Sequence, residues 1–106
     1  MYPIYTCPPQ VLEYCWSAQT KVEYAELRLD MELYTPAPLT PTQSEILDIQ
    51  QALWDNNVMR SAGNADVTIA AYAIKNDLTV LCSDHDFEHI AKVLGPGVLK
   101  VEYLAE

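Results

Sequence analysis

The run Leu78-Thr79-Val80-Leu81-Cys82 constrains the fold more than any other part of the sequence, because it is short and almost continuously apolar. This pattern is typical of a strand that is buried on both faces, as strands of parallel sheets are. Parallel strands need crossover connections, which are usually helices. The run therefore predicts an α/β fold in which helices flank a parallel sheet.

The rest of the hydrophobic pattern supplies the other elements. Thr40, followed by Pro41 and by Gln43, predicts the cap of one helix, and Asn64 predicts the cap of the next. The pattern predicts, in chain order, a strand end at 4–6, helices over 9–18 and 21–33, an extended connector over 34–39, a helix ending near 56–57, a helix over 65–76, the strand at 78–82, a helix over 87–94 and a last strand over 98–104. This order fits a doubly wound α/β layer.

Two sets of large apolar side chains need an interpretation. In the helix predicted over 21–33, apolar residues recur near one stripe, and we interpret it as a scaffold helix; the stripe consists of Val22, Ala25, Leu29 and Leu33. Trp16 and Trp54 are predicted to be core or partner contacts, since nothing in the sequence marks them as platforms for base stacking.

Length and charge limit what the chain does. With 106 residues, half of them hydrophobic, we expect a single domain over 1–106. Fifteen acidic and six basic residues give a formal net charge of −9, which excludes a broad basic surface for nucleic acid. Any binding of phosphate must therefore be local or mediated by a metal ion.

Cysteine usage and the absence of long apolar runs indicate the compartment. Cys7, Cys15 and Cys82 form no CxxC pair and are odd in number, so we expect free thiols in a reducing environment. The start Met-Tyr-Pro-Ile does not have the pattern of a signal peptide, and no apolar run reaches the roughly 18 residues of a membrane span. These features predict a cytoplasmic protein with no membrane partner.

Four acidic residues are candidates for a common site. Asp84 and Asp86 follow the apolar strand directly, at the end of a parallel strand where active sites usually lie. Asp66 falls in the first turn of the preceding helix, and Glu13 lies about one turn into the first helix. Carboxylates brought together repel one another by roughly 4 kcal/mol per pair at 4 Å, so a cation must offset them. Oxygen ligands alone suit Mg²⁺ or Mn²⁺, and such an ion supports hydrolysis of a phosphodiester.

Each candidate also has an ordinary structural interpretation. Asp66 alone is more often a first-turn residue, Asp84 alone is often a turn or cap residue, and most helical glutamates such as Glu13 are simply solvated. His85 and His89 are spaced i, i+4, which suits a transition metal, but without a third ligand they are more readily loop and surface residues.

Two segments, taken together, resemble the C-terminal part of the PIN-domain ribonucleases. Residues 64–71, Asn-Ala-Asp-Val-Thr-Ile-Ala-Ala, are similar to the family's A-D-x-x-I-A-A helix. Residues 78–87, Leu-Thr-Val-Leu-Cys-Ser-Asp-His-Asp-Phe, are similar to its T-V-L strand and D-x-D-F loop. Residues 6–9, Thr-Cys-Pro-Pro, and 11–13, Val-Leu-Glu, resemble a strand-to-helix segment of the VapC-like toxins.

The resemblance implies a PIN-like three-layer α/β fold and a divalent-metal-dependent endoribonuclease. Such toxins are usually dimeric and held inactive by a cognate antitoxin. The family's acidic positions correspond to Glu13, Asp66 and Asp84, with Asp86 as a further and weaker metal ligand. Ser83 stands where the family often has Thr, and we expect it to contact the RNA substrate weakly.

One family feature has no counterpart here. PIN domains begin with a central strand that carries an aspartate in a D-T/S motif, whereas no Asp precedes Glu13. We therefore expect the chain to represent the C-terminal portion of the fold, without the first strand. The alternative to a ribonuclease is a catalytically impaired PIN remnant that acts only as an antitoxin-binding or dimerising protein.

Overall fold

The computed structural model describes residues 3–60, 62–83 and 85–104. Within these residues the chain has five helices and four short strands, in the order β1 (Tyr5–Thr6), α1 (Pro8–Trp16), α2 (Lys21–Met31), β2 (Thr35–Pro36), α3 (Gln43–Asp55), α4 (Asn64–Lys75), β3 (Thr79–Cys82), α5 (Asp86–Leu94) and β4 (Lys100–Tyr103). The strands pair in parallel, β1 with β2 and β3 with β4. The predicted mixed α/β fold class is therefore confirmed.

The chain divides into two compact units, Met1–Pro38 and Leu39–Glu106, which are called here the N-terminal unit and the C-terminal unit. In the N-terminal unit, Pro8 and Pro9 open α1, where the first turn does not need their missing amide hydrogens. The Tyr14 hydroxyl donates to Asp30 Oδ2 at 3.2 Å and so links α1 to α2. The connector predicted to be extended contains β2, which pairs with β1, with Thr6 opposite Pro36.

The apolar stripe of α2 is exposed, contrary to its interpretation as a scaffold helix. No residue of α2 is buried. Leu29 is 63% exposed, and Val22 and Leu33 are more exposed still. The segment is a helix, as its apolar period predicted. Periodicity shows only that one face is apolar and not what covers that face.

The C-terminal unit contains the hydrophobic core. Helices α3, α4 and α5 pack against one another, α4 packs against β3, and α5 packs against β4. The core side chains are Ile49, Leu53, Val67, Ala70, Ala71, Ala73, Val80, Cys82, Phe87, Ile90 and Leu99. The small residues of α4 let this helix lie close to its neighbours.

Three local predictions in this unit are wrong. The cap of α3 is Thr42 rather than Thr40, because Thr42 and Glu45 form the reciprocal capping box instead. Helix α4 already includes Asn64, so its cap is Gly63. Strand β3 is buried on one face only: Val80 and Cys82 are buried, while Thr79 and Leu81 are exposed.

Two further expectations concern the cysteines and membrane-spanning helices. Cys7, Cys15 and Cys82 form no disulfide among the described residues, in agreement with the predicted thiols, and all three are buried. Burial raises the pKa of the Cys7 thiol. Across the part of the chain that the structure describes, no helix is both long and apolar enough to cross a membrane.

Candidate functional site

The segment that joins β3 to α5 carries most of the predicted site. Strand β3 ends at Cys82, Ser83 is exposed, and α5 begins at Asp86, which is half-buried. Asp84 lies outside the described residues. Asp86 therefore occupies the first turn of α5, where the helix dipole favours a carboxylate.

A cluster of three side chains holds this segment against the end of the sheet. His85 Nδ1 lies 2.9 Å from Glu88 Oε2, and the Tyr103 hydroxyl donates to the same oxygen at 3.0 Å. The rings of His85 and Tyr103 are 5.3 Å apart, centroid to centroid, and tilted by 48°. The hydrogen bond from His85, followed by that from Tyr103, lowers the pKa of Glu88 below its ordinary value. The cluster thus joins the start of α5 to the end of β4.

Sequence reasoning missed two members of this cluster. Glu88 is three residues after His85, a spacing that places both on one side of a helix start, so a signal for that pair was present. Tyr103 had no signal, because its approach depends on the register in which Cys82 lies opposite Tyr103. His85 and His89 are both exposed, as their ordinary interpretation predicted.

Asp66 lies in the first turn of α4, as predicted. Its Oδ2 accepts a hydrogen bond from the backbone N–H of Gly63 at 3.5 Å, a long contact at the start of the helix. The side chain is half-buried. A carboxylate here is stabilised by the positive end of the helix dipole.

Glu13 lies in the N-terminal unit, on α1, and its side chain is exposed. Asp66, Ser83 and Asp86 belong to the C-terminal unit. The expectation that Glu13 lies close to the aspartates, and that Asp66 and Asp84 approach within reach of one ion, stays a prediction.

The donor set fits a hard divalent cation. The acidic candidates offer carboxylate oxygens, which Mg²⁺ and Mn²⁺ prefer to nitrogen or sulfur. Among residues 3–60, 62–83 and 85–104, no group of three His, Cys, Asp or Glu side chains is placed to hold a metal ion. This set does not include Asp84, the residue between Ser83 and His85.

These features define an α/β protein with carboxylates at the end of a parallel strand and at the start of the preceding helix. The family model of the PIN domain matches residues 1–93. The chain belongs to the PIN domain family, which confirms the resemblance at the level of the family. No curated protein matches the sequence of the chain. PIN domains are generally divalent-metal-dependent nucleases, and PIN nucleases act on RNA.

Proposed function

We propose that this protein is a VapC-like toxin of a toxin–antitoxin pair, a divalent-metal-dependent endoribonuclease that hydrolyses RNA phosphodiester bonds. The observation that carries the proposal is membership of the PIN family together with the position of Asp66 in the first turn of α4. The loop from Ser83 to Asp86, directly after β3, adds to it. Because the family match spans both compact units, we propose further that residues 1–106 form one PIN-like domain.

In this proposal Asp66, Asp84 and Glu13 hold Mg²⁺ or Mn²⁺, and Asp86 has a weaker share. When bound, the ion supplies Lewis-acid polarisation of the phosphate and lowers the pKa of a nearby water. The carboxylates would hold the ion in place, and its positive charge would offset their mutual repulsion. Ser83 is exposed, and in this proposal its hydroxyl donates a hydrogen bond to the RNA.

The proposed protein partners are a cognate antitoxin and a second copy of the chain, in the cytoplasm. Exposed apolar side chains of the N-terminal unit support this part of the proposal. They include Leu12, Trp16, Val22, Leu29 and Leu33. Apolar surface of this kind is typical of protein–protein contacts.

The same surface favours a second candidate function. A chain that keeps this apolar face but positions too few metal ligands would bind the antitoxin or dimerise without cleaving RNA. The two candidates differ in whether purified protein cleaves RNA in a metal-dependent way.

Asp66→Asn tests the nuclease proposal. We expect this variant to lose Mn²⁺-dependent cleavage of a fluorogenic RNA by at least 100-fold, because an amide replaces one anionic ligand. Its unfolding free energy should change by less than about 1 kcal/mol, since the amide oxygen still accepts from Gly63. Asp48→Asn is the matched control, because Asp48 is an exposed aspartate on α3 and has no proposed role. Equal cleavage by wild type and Asp66→Asn would contradict the site, and no cleavage by wild type would favour the second candidate.

A further inference from the structure

A cavity of about 240 Å³ opens in the C-terminal unit, between the end of α3 and the start of α4. Its apolar floor includes Leu53 and Val67, both buried. Its walls carry Gln50, Trp54, Arg60 and Asn64. Pockets for drug-sized ligands measure roughly 300–1,000 Å³, so this cavity suits one small planar group rather than a larger molecule.

The walls combine an aromatic face with amide groups. Trp54 is 59% exposed, so of the two predicted roles the core position is wrong and the partner contact stays a prediction. Gln50 Nε2 donates to Asn64 Oδ1 at 3.2 Å, which holds the two amides side by side. An indole face stacks on any nucleobase, and amides hydrogen-bond to base edges because they both donate and accept.

Arg60 gives the cavity a positive charge in an acidic chain. Residues 39–106 contain four Lys and Arg residues. Two of them are engaged, since Lys75 pairs with Glu45 at 3.0 Å and Lys100 pairs with Asp77 at 2.8 Å. Within the described residues the Arg60 side chain forms no ion pair, and its planar guanidinium matches a phosphate with two parallel hydrogen bonds.

We propose that this cavity is a subsite for one nucleotide of single-stranded RNA. The base stacks on Trp54, the amides of Gln50 and Asn64 meet its edge, and Arg60 binds a flanking phosphate. The subsite rests on the proposed function for its substrate class. Asn64 and Val67 belong to the same turn of α4 as Asp66, so a nucleotide here lies beside the helix turn that carries a proposed metal ligand.

The proposed subsite also compensates locally for the net negative charge of the chain. A chain with net charge −9 repels RNA at long range, so specific local contacts must compensate. A stacked base and an arginine–phosphate contact each add to the affinity without a basic surface around them. The subsite thus supplies attraction at one point without a basic surface.

The first experiment measures nucleotide binding apart from cleavage. In the Trp16→Phe background, Trp54 is the one remaining tryptophan of the sequence, and Trp16 is 87% exposed, so its replacement disturbs little packing. Uridine 5′-monophosphate is titrated in buffer that contains EDTA. We expect saturable quenching of Trp54 fluorescence, and much weaker quenching by ribose 5-phosphate, which has no base.

The second experiment tests Arg60 with a matched control. Arg60→Gln should weaken binding of a fluorescein-labelled hexauridylate about tenfold in fluorescence polarisation, with a smaller salt dependence. Lys92→Gln removes the same charge from an exposed lysine on α5, and its affinity should change less than twofold. Arg60→Lys keeps the charge but not the two parallel hydrogen bonds. Its affinity for the hexauridylate should lie between those of Arg60→Gln and Lys92→Gln.

Two results would overturn the subsite. One is equal weakening by Arg60→Gln and Lys92→Gln, which would show general electrostatic attraction. The other is hexauridylate affinity unchanged by Trp54→Ala together with no quenching by the mononucleotide. Failure of the nuclease proposal looks different: wild-type protein would then bind and quench normally but not cleave RNA with Mn²⁺. Normal cleavage together with either of the two overturning results would remove the subsite and leave the nuclease.

Discussion

The two compact units contain apolar residues in similar patterns but bury them to very different extents. In the described part of the N-terminal unit, residues 3–38, only Thr6, Cys7 and Cys15 are buried. In the C-terminal unit, eleven apolar side chains form one continuous core across α3, α4, β3, α5 and the start of β4. The difference is therefore one of coverage rather than of composition.

This difference indicates that the C-terminal unit supplies most of the folding stability, whereas the N-terminal unit supplies exposed apolar surface for association. In the C-terminal unit three helices pack against one another, α4 and α5 also contact the strand pair, and the buried side chains form one core. The N-terminal unit is below the roughly 40 residues at which a chain usually forms a sufficient core by itself. We expect its helices to open at lower free energy than the core, and its exposed leucines to contribute to association rather than to folding.

The largest expected effect compares two Leu→Ala substitutions. Leu53 is 2% exposed in the core, whereas Leu29 is 63% exposed on α2. Leu53→Ala should lower the unfolding free energy by about 3 kcal/mol, because it removes buried methyl groups and leaves a cavity. Leu29→Ala should change it by less than about 0.5 kcal/mol.

Urea denaturation followed by circular dichroism measures both variants, at two protein concentrations. A loss of several kcal/mol for Leu29→Ala that grows with protein concentration would show that a second chain covers α2. The contrast between the units would then describe the isolated chain and not the assembly.

A smaller effect compares two threonine caps. Thr42 and Glu45 satisfy each other's backbone N–H groups at 2.8 and 3.1 Å, whereas Thr20 Oγ1 accepts a single bond from Glu23 N–H at 3.0 Å. Thr42→Ala should destabilise the protein by about 1 kcal/mol, because α3 carries core residues. Thr20→Ala should lower the unfolding free energy of the protein by less, and should mainly increase fraying of α2.

Hydrogen exchange resolved by segment separates the two caps. We expect faster exchange confined to α2 for Thr20→Ala, and faster exchange throughout the C-terminal unit for Thr42→Ala. Global acceleration by Thr20→Ala would mean that the N-terminal unit contributes to the stability of the core.

The next effect depends on pH and concerns Glu45. The hydrogen bond from the Thr42 backbone, then that from Lys75, lowers the pKa of Glu45 below its ordinary value of 4.5. A lowered folded-state pKa stabilises the protein above the unfolded pKa, and this contribution is lost as the pH falls through the folded pKa. Glu45→Gln should therefore reduce the urea midpoint at pH 7, and the difference from wild type should shrink as the pH falls below 4.5 and vanish only below the lowered folded-state pKa.

Glu23→Gln is the matched control for Glu45, since Glu23 holds the same position in α2 and has no lysine partner among the described residues. The urea midpoint of Glu23→Gln at pH 7 should change less than that of Glu45→Gln. A difference for Glu45→Gln that persists unchanged at low pH would show that the side chain acts through packing and not through charge.

The smallest expected effect is at the end of β4. Tyr103→Phe removes the second hydrogen bond to Glu88 but leaves that from His85. The pKa of Glu88 should rise toward its ordinary value without reaching it, because the bond from His85 is the larger cause of the lowering. A carboxyl titration by NMR measures this directly. An unchanged pKa would mean that the Tyr103 hydroxyl is bound elsewhere in solution.

Local chemistry made most elements readable in the sequence. Pro8 and Pro9 marked the start of α1, and Gly95 marked the end of α5 with a positive φ of 95°. The extended connector with Pro36 proved to be an edge strand. One error arose where two local signals competed: Thr40 and Thr42 each stand three residues before a Gln or Glu, and the structure forms the capping box at Thr42 and Glu45.

The candidate site was readable in part for the same reason. The position of Asp66 in a first turn and of Asp86 at a helix start follow from neighbouring residues alone. The partners of His85 do not, because Tyr103 comes from another strand. The cavity with Trp54 and Arg60 was also missed, since it forms between α3 and α4 and no spacing in the sequence records it.

The sequence by itself determined the helices, the parallel strands and the PIN family, because these depend on short-range chemistry and on the order of motifs. Tertiary structure alone decided which apolar faces are covered. Leu81 follows Val80 in an unbroken apolar run, yet one is exposed and the other buried, since successive side chains point to opposite faces and the helices cover one of them. A residue's hydrophobicity states that burial is favourable, but only the packing of distant elements determines whether burial occurs.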